Sequence, residues 1–246
     1  MTARAAAILL IPALAILWLF LRGDMLGHWR RKASWRRYPA WVARAWTLFG
    51  AGSLTLLVAA GEVDAIVRLP GAFAPARVTV IEQVGAIDPW GAMGLAALGG
   101  LVLGGLMAGW LERRGRPVGL GEVERVMPRD PRELRWAAAL AVTAGVTEEL
   151  YFRLLLPLLI ASVTGSAWAG FALGVALFGA AHRYQGWAGI AATTAVGLLM
   201  TLVYLATGSL VATMLLHVLI DLNAVVLRPI VSGRLSSSAA TRSGRS

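Results

Sequence analysis

Glu148 and Glu149 stand side by side in Thr147-Glu148-Glu149-Leu150-Tyr151-Phe152-Arg153, with an arginine one helical turn beyond the second acid. Farther along lie His182, closing Phe178-Gly179-Ala180-Ala181-His182, and His217, four residues before Asp221. A carboxylate can take a proton from water, and an imidazole can hold that water or donate to an oxyanion, so these residue types together suit hydrolysis. The spacing favours convergence. Residues four apart share a helical face, which sets His217 beside Asp221 and Glu149 beside Arg153. Glu148, turned about 100° from Glu149, is then able to face the histidines.

The setting of these groups is apolar. Of the 246 residues, 58% are hydrophobic and only 15% charged, with a mean hydropathy of +0.69, the composition of a polytopic membrane protein. One charge near the middle of a bilayer costs about 3 kcal/mol on insertion scales, so paired acids there need partners and a use. The chain has no cysteine, which excludes disulfides, thiolate metal sites and thiol nucleophiles. The net charge of +10 is spread over short basic runs between apolar segments, without an aromatic platform, and so reads as a topology signal and not as nucleic-acid binding.

The elements that must carry the acids and histidines are membrane helices. The fold class expected is all-α, a polytopic transmembrane bundle of about seven spans, over roughly 4–22, 40–60, 90–111, 132–161, 167–182, 187–206 and 209–228. The first is read as an uncleaved span, because its apolar run is nearly full length and lacks a small-residue cleavage site. Asp130-Pro131-Arg132-Glu133 marks the start of the fourth helix, with an N-cap, a proline at the first helical position and an acid at the third. Pro157 is expected to kink that helix or loosen its outer end.

Basic connections are placed in the cytoplasm. Arg30, Arg31, Lys32, Arg36 and Arg37 mark the first, and Arg113, Arg114, Arg116, Arg125, Arg129 and Arg132 the third. The 61–88 connection, with Glu62, Asp64, Glu82 and Asp88, is placed outside. The resulting topology has the N-terminus out and the C-terminus in, across an inner or plasma membrane. Three regions follow: N-terminal helices and basic loops over 1–127, a membrane core over 128–229, and a Ser-, Ala-, Gly- and Arg-rich tail over 230–246 expected to be disordered.

Depth also speaks for convergence. At 1.5 Å per residue Glu148 lies about 18 Å from Trp136, and His217 about 12 Å from Ser209 on the opposite side, which is the same level in a core of about 30 Å. His182, counted from Trp168, falls near the end of its helix, about 10 Å from the other two. For it to join them, the Arg183–Trp187 turn has to dip into a water-filled cavity.

Three uses compete for this set. The polar groups could simply hold helices together. They could relay protons in a transporter, although no inverted repeat or pair of broken helices is present. Hydrolysis uses every residue of the set.

Glu148-Glu149-x-x-x-Arg153, Phe178-x-x-x-His182 and His217-x-x-x-Asp221, in this order, resemble the three motifs of the CPBP family, the CAAX proteases and bacteriocin-processing proteins, over roughly Pro128 to Pro229. The resemblance implies an intramembrane glutamic endopeptidase. Glu148 would act with His182 to activate water, Glu149 and Arg153 would brace the site, and Phe178 would support it. His217 and Asp221 would occupy the family's oxyanion-stabilising positions. Two departures stand out: Leu154 follows the arginine where many members have Gly, and Asp221 can donate a hydrogen bond only when protonated, so it would instead orient His217. The metal-free mechanism needs no cofactor. Yet Glu148, His182 and His217 are also a common zinc set, which keeps a metalloprotease open. The partners implied are the bilayer and a peptide or protein substrate within it, of the prenylated CAAX, bacteriocin-precursor or membrane-anchored regulator type. The alternative is a non-proteolytic immunity or binding factor, or a proton-coupled transporter.

Overall fold

The computed structural model describes residues 1–22, 37–88, 90–91, 102–115, 127–128, 130–233 and 235. Among them eight helices form an all-α bundle. α1 is Ala3–Arg22. α2 runs Arg37–Ala45, passes through a π turn at Trp46–Ala51 and continues as Gly52–Ala60. α3 is Ala74–Val84 and α4 is Leu103–Arg113. α5 is one continuous rod made of Leu134–Glu149, a π turn at Leu150–Leu155 and Leu156–Thr164. α6 is Ala167–Ala181, α7 is Gly186–Thr207, and α8 comprises Leu210–Leu222, a π turn at Asn223–Leu227 and Arg228–Val231.

Among the described residues four helical stretches are long and apolar enough to cross a membrane: Ala3–Arg22, Tyr38–Ala60, Arg183–Thr207 and Leu210–Val231. The protein is a polytopic helical membrane protein. The other expected spans differ for physical reasons. α5 has the length, but Glu148, Glu149 and Arg153 interrupt its apolar run. α6 has 15 residues, about 22 Å, less than the hydrocarbon thickness. The span expected over 90–111 is seen as Leu103–Arg113, and its earlier part lies largely outside the described residues. So do most of the two basic connections and most of the tail. Large side chains such as Leu198, Leu199 and Leu202 on α7 and Val211 and Leu215 on α8 point outward, as lipid-facing residues would.

The local signals around α5 hold. The Asp130 carboxylate accepts from the Arg132 and Glu133 amides at 2.9 and 3.2 Å, capping a short turn that leads into α5. The bend expected from Pro157 takes the form of the π turn just before it. A proline has no N–H for the carbonyl four residues back and its ring crowds that carbonyl, and a widened turn accommodates both. The same pattern recurs in α8, where the π turn Asn223–Leu227 precedes Pro229. One helix was not anticipated: α3 lies inside the 61–88 connection, and its Arg77 donates to the Leu205 carbonyl at 3.3 Å, near the end of α7. A cation at a helix C-terminus satisfies an orphan carbonyl and complements the dipole.

Close approaches fix the core. A Cβ on Gly145 of α5 would stand 2.5 Å from Val218 of α8, and one on Gly170 of α6 would stand 2.5 Å from the Pro157 carbonyl of α5. Small residues at these crossings let backbones meet closely, the usual packing of membrane helices. α5 is thereby gripped by α8 on one side and α6 on another, and its central turns are wholly buried.

Candidate active site

The α5–α6 hairpin turns at Gly165, whose φ of +73° is the left-handed conformation that ends α5. Glu148 precedes that glycine by 17 residues and His182 follows it by 17. In an antiparallel helical pair, residues equidistant from the turn lie at one level, so the hairpin itself sets His182 beside Glu148. Both residues line one cavity, so His182 joins the set from its place at the end of α6. α6 is shorter than a full span, and His182 caps its end.

α8 brings the third group. Gly145, one turn before Glu149 on the same face of α5, admits α8 closely, and the His217 Nδ1 meets Glu149 Oε1 at 2.7 Å. The other Glu149 oxygen lies 3.3 Å from Arg153 Nε. Arg153 is completely buried, donates to the Gly197 carbonyl of α7 at 3.4 Å, and sits 4.2 Å above the Phe178 ring. Glu149 therefore joins α5 to α8, and Arg153 joins α5 to α6 and α7. Phe178 supports the histidines as well, with its ring centre 4.7 Å from that of His182 and 6.0 Å from that of His217.

These contacts fix ring chemistry. The Phe178 carbonyl, 2.9 Å from His182 Nδ1, can only accept, so Nδ1 carries a proton and in the neutral ring Nε2 is a base. In His217 the Nδ1 is engaged by Glu149, which turns Nε2 toward Asp221, 3.8 Å away. That separation is too long for a hydrogen bond. Glu148 differs from its neighbour: it is 4% exposed, and its Oε2 is buried with no hydrogen-bond partner among the described residues.

Glu148, His182, His217 and Asp221 all line one cavity of about 230 Å³. The space is enough for several waters at about 30 Å³ each, or for a short length of extended chain. Apart from a few polar groups its walls are apolar, among them Leu140 and Ala144 of α5, Val196 of α7 and Ile220 of α8. Tyr184 and Gln185 also line it, so the turn between α6 and α7 does dip into the cavity. Gln185 donates to the Tyr184 hydroxyl at 3.0 Å, and Tyr184 lies 5.8 Å from the His182 ring.

The described part of the chain matches one family model: residues 130–223 fit the type II CAAX prenyl endopeptidase, Rce1-like. They form an Rce1-like domain. No curated protein and no solved structure gives a significant match to the chain.

The Rce1-like domain begins at the Asp130 cap of α5 and ends at Asn223, where the α8 π turn opens. It contains Glu148, Glu149, Arg153, Phe178, His182, His217 and Asp221. Among the lining residues that were not foreseen are Tyr184, Gln185 and Trp41, the last from α2 outside the domain. Tyr184 and Gln185 carried a signal, since they follow His182 directly in a turn that had to dip into a water-filled cavity if His182 was to join the site. Trp41 carried none, because its place depends on how α2 docks. The zinc set does not fit: among the described residues no three His, Asp or Glu side chains are gathered as a metal ion requires. No step below is routed through a metal.

Proposed function

We propose that the protein is an intramembrane endopeptidase that hydrolyses a peptide bond of a membrane-associated or lipidated substrate with water activated by Glu148. The observation that carries this reading is an unpartnered buried carboxylate sharing one cavity with two imidazoles, inside an Rce1-like domain. Glu148 takes a proton from a water that is also held by His182 Nε2. The resulting hydroxide attacks the carbonyl carbon, and a protonated His217, its charge shared between Glu149 and Asp221, donates Nε2–H to the oxyanion. Collapse of the tetrahedral intermediate breaks the C–N bond, and the proton on Glu148 passes to the leaving amine. Every proton is accounted for without a cofactor.

The assignment of roles extends to support: Glu149 and Arg153 orient His217, and Phe178 packs both rings. Residues 128–229 are the catalytic core on this reading, with residues 1–127 as accessory helices. The topology proposed is N-terminus out and C-terminus cytoplasmic in the cell membrane. The test is Glu148→Gln in the full chain, reconstituted with peptides drawn from the membrane proteins whose N-termini change when the gene is inactivated. Cleavage is expected to fall by a factor of about 10² to 10⁴, the usual weight of a general base, while helix content stays unchanged. Undiminished proteolysis would remove the mechanism, and substrate-dependent proton flux without cleavage would favour a transporter.

A further inference from the structure

The walls of the cavity carry a charge pattern that speaks to its substrate. Glu148 lies within it with an unpartnered buried oxygen, Asp221 stands at its edge with a side chain one-third exposed, and among the described lining residues there is no lysine or arginine. The basic group nearest in sequence, Arg183, is turned away and donates to the Leu21 carbonyl of α1 at 2.9 Å. Behind the wall, Arg153 is committed to Glu149, Gly197 and Phe178. Among the described residues His217 is the group paired with Asp221 that can become cationic at close range, and it is already held by Glu149 at 2.7 Å. With both histidines neutral, Glu148, Glu149 and Asp221 outnumber Arg153 by two charges, and with one imidazolium they still outnumber the cations by one.

Asp221 therefore has capacity left over. It is 3.8 Å from His217 Nε2, beyond hydrogen-bond length, and it opens to the cavity and not to a neighbouring helix. A substrate carboxylate entering here would meet two acids and no cation from the described walls, whereas a substrate ammonium or guanidinium would find a waiting partner. Resting on the proteolytic reading above, the geometry points to a polypeptide segment with a lysine or arginine flanking the scissile bond, its charge paired with Asp221. Asp221 is then a specificity-determining residue as well as a neighbour of His217. Acidic residues at the same substrate position are rejected.

The experiment uses the full chain in liposomes and three peptides identical except for Lys, Gln or Glu beside the scissile bond. Binding is measured on the Glu148→Gln protein, which holds substrate without turnover, and cleavage on the unmodified protein. The Lys peptide is expected to bind about tenfold more tightly than the Glu peptide and to be cleaved with a correspondingly higher kcat/KM, with Gln between. Asp221→Asn should bring the Lys and Glu peptides to within about twofold of each other. Equal binding of Lys and Glu, or a preference that survives Asp221→Asn, overturns the proposal. The order among peptides is read in a site with Asp221 intact, so a poorly folding Asn variant does not remove the test. If the Lys preference in binding is present but no peptide is cleaved, the specificity stands and the proteolytic reading fails.

Discussion

Among the described residues two buried Glu–Arg pairs can be compared, and one of them belongs to the site. Glu149 and Arg153 lie one turn apart on α5, both completely buried, with His217, Gly197 and Phe178 as further partners. Glu112 of α4 accepts from two nitrogens of Arg228 of α8, with side chains 6% and 13% exposed, and neither residue lines the cavity described above. Burial and pairing are thus shared. What sets the first pair apart is its link to an imidazole whose far nitrogen is turned toward Asp221 in the cavity, and an adjacent acid, Glu148, with one buried oxygen that accepts no hydrogen bond among the described residues. An intramembrane ion pair marks a function only when it holds something else in place. The Glu112–Arg228 pair holds two helices together.

The comparison predicts opposite signatures for neighbouring acids. Glu148→Gln should cost activity by a factor of 10² or more and leave thermal unfolding in detergent nearly unchanged, since it breaks no hydrogen bond of the buried Oε2 and keeps the side-chain shape. Glu149→Ala should cost about 3 to 5 kcal/mol of stability as well as activity, because Arg153 is left as an uncompensated buried cation and His217 loses its anchor. Adding Arg153→Leu to Glu149→Ala should recover much of the stability and none of the cleavage. Recovered cleavage in that double variant would mean that His217 needs no anchor, and the distinction between the two pairs would lose its basis.

How far the sequence foretold this site depends on the kind of information each residue needed. The Glu149–Arg153 pair and the common face of His217 and Asp221 follow from helical spacing alone, and the Asp130 cap follows from local chemistry. His182, counted from a membrane interface, was expected near the end of its helix, and it is the residue that caps α6. Counting from Gly165, the pivot of the hairpin, would have put it opposite Glu148. The Glu149–His217 bond was missed for a different reason: spacing along one helix cannot say which face of another helix meets it. Gly145 was the available clue, a small residue one turn before Glu149 where close packing was permitted. Trp41 and the helix α3 had no such clue, because both depend on the docking of the N-terminal segments. Likewise the apolar length that announces α1, α7 and α8 fails on α5 and α6, where charge or shortness accompanies the chemistry.

The second pair gives a smaller effect. Arg228→Met takes the Arg228 guanidinium away from Glu112, and because both side chains retain some exposure the loss should be about 2 kcal/mol, less than for a fully enclosed pair. Replacing both, Glu112→Leu with Arg228→Met, should return stability to within about 1 kcal/mol of the original, since apolar groups fill such a helix contact at no desolvation cost. Cleavage per folded molecule should be unchanged in either variant. A double variant that is stable yet inactive would show that α4 takes part in the site, and would erase the contrast drawn between the pairs.

The smallest effect separates positioning from packing at the turn after α6. Arg183 follows His182 directly and ties that turn to α1 through the Leu21 carbonyl, while Arg44 of α2 donates to the neighbouring Leu19 carbonyl of the same helix end. A charged donor satisfying the last carbonyls of α1 complements its dipole, and the contact is exposed, so its loss should cost about 1 kcal/mol at most. If the tether sets the position of His182, Arg183→Ala lowers kcat by about fivefold with KM and thermal unfolding nearly unchanged, and Arg183→Lys, which keeps a donor, recovers part of the loss. Equal kcat for all three proteins would show that the hairpin about Gly165 positions His182 without help from α1. The N-terminal helices would then be left with packing alone, as the pair on α4 is.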